Sequence, residues 1–249
     1  MLVKAFKIDC INDYSKKSNR KNDFWGTEIT FDFKRDGFDR YLKNRVFIEE
    51  SVIMAKGVNP RFANNSSDIR TEDIILANSY AGVLSEYCWR VFINQCSEKN
   101  LVKETLLIDP ENQIDLETID KKLKIEVRSS FARNGIKFAI CDPKYQFDIL
   151  GPYHNDYKPN ENEKNFYLRA IFHVQDYNEF LYNFDNKLSI FLLGGATKDM
   201  MNDDNKFIVK DLVPDGNQHN SKTSYRVIPY QFALDTFQII SKIRESENG

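Results

Sequence analysis

The sequence lacks the patterns that mark several common classes of protein. It has no run of about 18 apolar residues, so no transmembrane helix is predicted. The N-terminal stretch MLVKAFKIDC has no long apolar segment followed by small residues, so no signal peptide is predicted. The GxSxG, HExxH, P-loop and CxxC patterns do not occur, and the three histidines are isolated in the sequence. Nucleophilic serine or cysteine catalysis and a zinc site built from histidine or cysteine therefore have no support.

An excess of charge of either sign is also missing. The chain of 249 residues has 35 Lys and Arg against 37 Asp and Glu. This balance argues against a protein that coats nucleic acid through bulk electrostatics, although it does not exclude a local basic cleft. The four cysteines have no metal-ligand spacing, and we expect reduced, mostly buried thiols in a cytoplasmic protein.

What the sequence does contain is a pattern typical of a β-hairpin in Gln113–Ser130, which reads QIDLETIDKKLKIEVRSS. Apolar residues alternate with polar ones in two runs, at Ile114 and Leu116 and then at Leu123, Ile125 and Val127. This period of two is expected of half-buried strands. If both apolar sets face one core, a turn at Asp120 and Lys121 places Asp115 directly opposite Glu126.

Two carboxylates opposite each other on neighbouring strands predict a cation between them. Cross-strand side chains lie about 5 Å apart, and like charges at that distance are destabilising unless something cationic separates them. Oxygen ligands of this kind suit a hard divalent cation such as Mg²⁺. Lys124 and Arg128 share the face of Glu126 and add positive charge beside the pair.

This acid, acid and basic residue pattern resembles the motif of the PD-(D/E)XK nuclease superfamily, which includes type II restriction endonucleases. Asp115 corresponds to the first acid, Glu126 to the second, and Arg128 stands where the family usually has lysine. Gln113 and Ile114 replace the proline that often precedes the first acid. Arginine cannot act as a base, but it can stabilise charge that develops on a phosphate in the transition state. Lys124 is a possible substitute for the lysine.

The resemblance implies a site in which Asp115 and Glu126 hold Mg²⁺, for which Mn²⁺ may substitute, with the Val127 carbonyl as a further ligand. It also implies that Glu86, on a preceding helix, supports the metal; the alternative is an ordinary Glu86–Arg90 pair one helical turn apart. A polar run after the hairpin is interpreted either as a contact to DNA phosphates or as an ordinary turn, and it comprises Ser129, Ser130, Arg133 and Asn134.

The remaining periodicity predicts an α/β fold, an α+β arrangement with a mixed central sheet flanked by helices. Strands are predicted at 28–33, 104–109, 137–141, 147–150, 166–174, 188–195 and 224–230. Helices are predicted at 38–56, 72–95 and 232–243, with a short helix from residue 196. Gly82 lies inside the second of these helices and suggests close packing against the sheet.

Residues 71–249 would form the nuclease core, and residues 1–70 a possible DNA-recognition region. Polar segments at 59–70, 151–165 and 202–220 would be loops, with the first interpreted slightly more readily as a connector than as a DNA contact.

The function implied by the resemblance is a Mg²⁺-dependent endonuclease acting on double-stranded DNA in a bacterial or phage restriction system. A homodimer is expected if the DNA site is palindromic. The alternatives are a catalytically inactive DNA-binding or protein-interaction module on the same fold, and a nuclease of DNA repair or RNA.

Overall fold

The computed structural model describes most of the chain outside one long N-terminal segment and several loops. The described residues are 1–12, 18, 20, 22–33, 41, 43–46, 72–105, 113–142, 144, 147–154, 162–184, 186–212 and 223–248. The predicted loop at 59–70 and His219 lie outside these residues, as do most of the predicted helix at 38–56 and residues 106–109 of the predicted strand at 104–109. Tyr41 and residues 43–46 of that helix are helical.

A mixed sheet of seven strands forms the centre of the fold, as the sequence predicts. Its strands are β1 (Leu2–Ile8), β2 (Phe24–Asp32), β3 (Val102–Glu104), β4 (Leu116–Thr118), β5 (Lys124–Phe131), β7 (Phe166–Phe172) and β8 (Lys187–Thr197), in the order β1-β2-β8-β7-β5-β4-β3. Strands β5 and β7 are parallel, and the other neighbours are antiparallel. Because β1 and β2 pair with β8, one sheet includes strands from both predicted regions of the chain.

A second, antiparallel sheet of three strands accompanies the first. It consists of β6 (Ile149–His154), β9 (Ile208–Leu212) and β10 (Thr223–Ile228), in the order β6-β10-β9. Strand β9 lies within the stretch 202–220 that the sequence predicts as a loop, so that prediction is wrong for these residues. Strand β6 likewise extends into the predicted loop at 151–165.

Besides the helical residues at 41 and 43–46, five helices with described bounds flank the sheets. They are α1 (Glu72–Ser97), α2 (Ile136–Cys141), α3 (Tyr177–Phe184), α4 (Lys198–Met201) and α5 (Thr236–Asn248). Asp235 begins α5, since its carboxylate accepts hydrogen bonds from the N–H groups of Phe237 and Gln238 at 3.0 and 2.9 Å. Within the described residues, no helix has the length and apolar character needed to span a membrane.

The predicted strand at 137–141 is wrong, because these residues belong to α2. Gly135 precedes the helix with a φ of 88°, a conformation that glycine adopts without strain. Ile136, Ala139 and Ile140 are buried together at helical spacing. A run of five residues is too short for its periodicity to separate a strand from a buried helix.

The central sheet packs against a different cluster on each face. Helices α1 and α5 cover what we call the first face, where apolar side chains of β2, β5, β7 and β8 form a core with Trp89 and Leu84. The second face packs against α2, α4 and the three-stranded sheet. Because strand side chains alternate, β7 contributes Phe166, Leu168, Ala170 and Phe172 to the first face, and Tyr167 and Ile171 to the second.

Gly194 allows β8 to meet the segment that begins α5. Its φ of 67° is a left-handed conformation, and a side chain there would overlap the carbonyl oxygen of Leu234. The neighbouring Gly195 exchanges backbone hydrogen bonds of 3.0 Å with Leu234 in both directions. The glycine pair therefore lies within the strand, and it is not the end of the strand that the sequence suggests.

Candidate functional site

The hairpin of β4 and β5 has the predicted register. Leu116 pairs with Ile125 and Glu117 with Lys124. The turn is centred on residues 119 and 120, and the N–H of Lys121 closes it by donating to the Thr118 carbonyl at 2.8 Å. Lys121 adopts a left-handed φ of 62°, which the tight turn requires. Extended by one residue, the register sets Asp115 opposite Glu126, as the period-two pattern predicts.

Asp115 is buried immediately before β4, with only 4% of its surface exposed. Its Oδ2 accepts a hydrogen bond of 2.7 Å from the N–H of Val127, and its Oδ1 accepts one of 3.2 Å from the Gln113 amide. Burial, followed by repulsion from the Glu126 carboxylate, raises the pKa of the Asp115 carboxyl to about 8. The pair is therefore costly to hold in its doubly ionised form without a cation.

Glu126 lies in β5 and is 6% exposed. Its Oε1 is 2.6 Å from Nη2 of Arg128, two residues along the same face. Within the described residues, its Oε2 is buried without a hydrogen-bond partner, and Nζ of Lys164 lies 3.8 Å from it. One oxygen of this carboxylate is thus paired, and the other lies beside a cation without a hydrogen bond.

Lys164 is a residue of the site that the sequence reasoning missed. It is 2% exposed, and its Nζ donates a hydrogen bond of 3.0 Å to the carbonyl of Asn162. The next residue, Asn165, fixes its position, because Asn165 exchanges two hydrogen bonds of 2.8 Å with the backbone of Lys124 at the start of β5. In the sequence, the only signal is that a lysine stands two residues before a buried strand, within a stretch of loop composition.

The lysine that the sequence predicts at this site, Lys124, lies away from the acid pair. Lys124 lies on the same face of β5 as Glu126, but its side chain is exposed at the beginning of the strand. Lys164, and not Lys124, therefore brings a buried ammonium to the acid pair.

Asp115 and Glu126 are the residues that could hold a Mg²⁺ ion, through their carboxylate oxygens. The described residues contain no group of three or more His, Cys, Asp or Glu side chains arranged to hold a metal. Mg²⁺, however, is usually bound through one or two carboxylates, with water and substrate phosphates completing the shell. The N–H of Val127 points to Asp115, and the carbonyl of a strand residue points to the same side as its N–H, so the Val127 carbonyl faces the side of β5 on which Asp115 lies.

Glu86 is buried in the middle of α1, where it contacts Arg45. Nη2 of Arg45 lies 3.2 Å from Oε2 of Glu86 and donates a second hydrogen bond of 2.7 Å to the carbonyl of Thr105. Thr105 in turn donates its N–H to the carbonyl of Asp115 at 3.1 Å. Glu86 is thus connected to the backbone of the site through Arg45, a contact that neither sequence interpretation includes.

Arg90 pairs with Glu104 and not with Glu86, its predicted partner. Nε of Arg90 lies 3.1 Å from Oε1 of Glu104, whose other oxygen is 3.2 Å from Nη1 of Arg45. Glu86 and Glu104 therefore share Arg45, and Arg90 neutralises Glu104.

The four residues predicted to contact DNA phosphates fall into two groups. Ser129 and Ser130 are half-buried in β5, and the Ser130 hydroxyl accepts a hydrogen bond of 2.8 Å from Arg169. Arg133 and Asn134 are exposed in the turn before α2. Of the histidines, His173 is exposed, and the His154 side chain lies outside the described part of the chain.

Comparisons with known proteins leave the family open. No family model matches the chain, and no solved structure matches it. An uncharacterized protein of the archaeon Methanocaldococcus jannaschii is 28% identical over 172 residues, which cover 55% of this chain and 61% of that relative. The matched region spans less than two thirds of the relative's length, and its name states no activity.

Proposed function

We propose that the chain is a Mg²⁺-dependent endonuclease of the PD-(D/E)XK type that hydrolyses phosphodiester bonds in double-stranded DNA. The observation that carries the proposal is the buried pair of Asp115 and Glu126 on neighbouring strands, with one carboxylate oxygen lacking a hydrogen bond. A divalent cation would relieve both the mutual repulsion of the pair and the unsatisfied oxygen. Defence against foreign DNA, in the manner of restriction enzymes, is the role that we propose for it.

Asp115, Glu126 and the Val127 carbonyl would hold the ion. Bound Mg²⁺ would supply a water of lowered pKa and neutralise charge on the phosphate. Hydrogen bonds from Val127 and Gln113 hold the Asp115 carboxylate in place. Oriented ligands of this kind raise the affinity of a site because little reorganisation is needed on binding.

The two cations beside Glu126 have different roles in this proposal. The guanidinium of Arg128 stays charged at any working pH and stabilises the extra negative charge of the transition state. Lys164 occupies a buried position, with its Nζ 3.8 Å from Oε2 of Glu126. Lys164 is thus placed to orient the attacking water beside the acid pair.

A plasmid-nicking assay tests the proposal. Wild-type protein is incubated with supercoiled plasmid and Mg²⁺ or Mn²⁺, and with EDTA as the metal-free control. We expect nicking in the metal samples, a loss of more than about a hundredfold in Asp115→Asn and Glu126→Gln, and no nicking in EDTA. Nicking that survives both substitutions would contradict the assignment of the acid pair.

A matched pair of lysine variants tests the role of Lys164. We expect Lys164→Met to lower the rate about a hundredfold or more, as loss of a charged group at the reacting phosphate does. Lys124→Met changes the same side chain at an exposed position and is expected to retain the wild-type rate. Thermal unfolding of both variants shows whether any loss of nicking rate arises from a loss of folded protein. An equal loss of rate in the two variants would refute a specific role for Lys164.

A catalytically inactive DNA-binding module on the same fold is the second candidate. The observation that favours it is that Arg128 and Lys164 already lie beside Glu126, so positive charge occupies part of the space near the carboxylates. Metal-independent binding of duplex DNA, with no nicking in either metal, would support this function over the first.

A further inference from the structure

Arg169 is a buried arginine at the centre of the second face. It lies in β7 as the ladder partner of Arg128 in β5, so the two side chains stand next to each other on neighbouring strands. Arg169 is 3% exposed, whereas Arg128 and Ser130 beside it are partly exposed. The three residues therefore form a path from the surface to a buried guanidinium.

The hydrogen-bonding capacity of this guanidinium is mostly unused. Nη2 donates to the Ser130 hydroxyl at 2.8 Å, but Nε and Nη1 are buried and have no hydrogen-bond partner in the part of the chain that the structure describes. Buried arginines are ordinarily paired, because a buried charge without partners is strongly unfavourable. An arginine that keeps two buried nitrogens without an acceptor is therefore missing a ligand.

The neighbouring charges do not supply that ligand. Arg128 is itself positive, and like charges on adjacent strands are destabilising. Asp148, the nearby carboxylate, accepts a short hydrogen bond from Lys210. The surroundings of Arg169 thus favour an added anion.

We propose that Arg169, Ser130 and Arg128 form a binding site for a phosphoryl group, one phosphate of the nucleic-acid backbone beside the acid pair. The planar donors of arginine match the oxygens of a phosphate, and the Ser130 hydroxyl adds a donor once Arg169 turns to the anion. Arg128 connects the two sites, since its Nη2 is 2.6 Å from Oε1 of Glu126. The inference rests on the proposed nuclease function for the source of the phosphate, and its test does not depend on cleavage.

Inorganic phosphate is the probe. The thermal midpoint, Tm, is measured in EDTA at constant ionic strength while phosphate replaces chloride, with acetate as a second arm. We expect phosphate at ten times its Kd to raise the wild-type Tm by about 3 °C or more, and acetate to raise it less. No shift, or an equal shift with acetate, would overturn a site for phosphoryl groups.

Arg169→Met removes the charge while keeping the length of the side chain. We expect this variant to lose the phosphate shift and, in buffer without phosphate, to have a Tm at least equal to that of the wild type. A structural role for Arg169 predicts the opposite, a lower Tm with the phosphate response retained. If Arg169→Met does not fold, Arg169→Lys keeps the charge without the planar donors and is expected to weaken phosphate binding about tenfold.

Arg20→Met is the matched control. Arg20 is also buried, at 6% exposure, but its nitrogens donate to the carbonyls of Asn22, Tyr230 and Ala233. Its loss should lower the Tm and leave the phosphate shift intact, because no anion is missing there. A loss of the phosphate shift in Arg20→Met would contradict the assignment to Arg169.

Duplex DNA distinguishes the source of the phosphate and separates this inference from the nuclease proposal. In EDTA, Arg169→Met should bind a short duplex about tenfold more weakly than wild type, and unchanged binding would refute the backbone as the source. If phosphate raises the Tm but the protein does not nick plasmid, the anion site is supported and the nuclease proposal is refuted. If the protein nicks plasmid but phosphate does not raise the Tm, the nuclease proposal is supported and the anion site is refuted.

Discussion

The two faces of the central sheet use the same strands for different purposes. Along β7, the side chains on the first face are all apolar and pack beneath α1 and α5. On the second face, Arg169 lies between Tyr167 and Ile171, next to the charged residues of β5. The first face therefore stabilises the fold, and the centre of the second face holds charges whose interactions are incomplete.

This difference teaches where function resides. A protein under selection for stability alone would gain from replacing a buried, partly unpaired arginine or a repelling carboxylate pair with apolar side chains. The charges of the second face are therefore the basis on which we propose a ligand there. The predictions below test the contrast between the faces, beginning with the largest effect.

Phe172→Ala should cost about 3 to 5 kcal/mol in the free energy of unfolding, because it empties a fully buried site on the first face. Phe172 contacts Phe131 and Phe180 at ring-centroid distances of 5.8 and 5.0 Å, so the cavity would disrupt an aromatic cluster. Urea unfolding measures the change. Arg169→Met, on the other face of the same strand, is the comparison, and an equal loss in both variants would remove the distinction between the faces.

The metal-free protein should lose stability as the pH rises from about 5 to 8. The pKa of Asp115 is raised in the folded protein, so the folded state holds a proton that the unfolded chain releases at lower pH. The free energy of unfolding then falls with pH, by at most about 1.4 kcal/mol for each pH unit from this carboxyl.

Urea unfolding in EDTA at several pH values checks this slope. Asp115→Asn should flatten it, whereas Glu117→Gln, in the same hairpin, should keep it. A slope that Asp115→Asn leaves unchanged would show that the acid pair is not its source.

Gly82→Ala should have the smallest effect and stabilise the protein by up to about 1 kcal/mol. Within the described residues, a Cβ at position 82 meets no atom within 4 Å, so close packing does not require this glycine, contrary to the sequence-based expectation. Alanine restricts the unfolded chain and favours the helix. Thermal unfolding measures the gain, and Gly194→Ala, which would overlap the Leu234 carbonyl, is the destabilising control.

Local patterns made the hairpin predictable from the sequence. The alternation at Leu123, Ile125 and Val127 sets the face of each side chain, and a short turn fixes the register, so the facing of Asp115 and Glu126 follows without knowledge of other strands. The long helix α1 and the strands β7 and β8 were predictable for the same reason, since their periodicity extends over many residues.

Arg128 was predictable from its place in the hairpin, but the other cations were not, because long-range pairing places them. Arg169 reaches Arg128 only through the parallel alignment of β5 with β7, which no local pattern specifies. Lys164 stands in a stretch of loop composition, and its burial depends on Asn165 binding to the start of β5. Arg45 likewise meets Glu86 only in the folded chain.

The parallel pairing of β5 with β7 also has a consequence for the order of folding. Parallel neighbours need a long crossover, and here it runs through α2 and β6 before the chain returns. Local contacts form faster than those that close a long loop. The two carboxylates can thus meet early, within a hairpin that already carries Arg128, whereas Lys164 and Arg169 arrive only after the crossover closes. The nascent chain therefore forms the acid pair before it acquires the two buried cations.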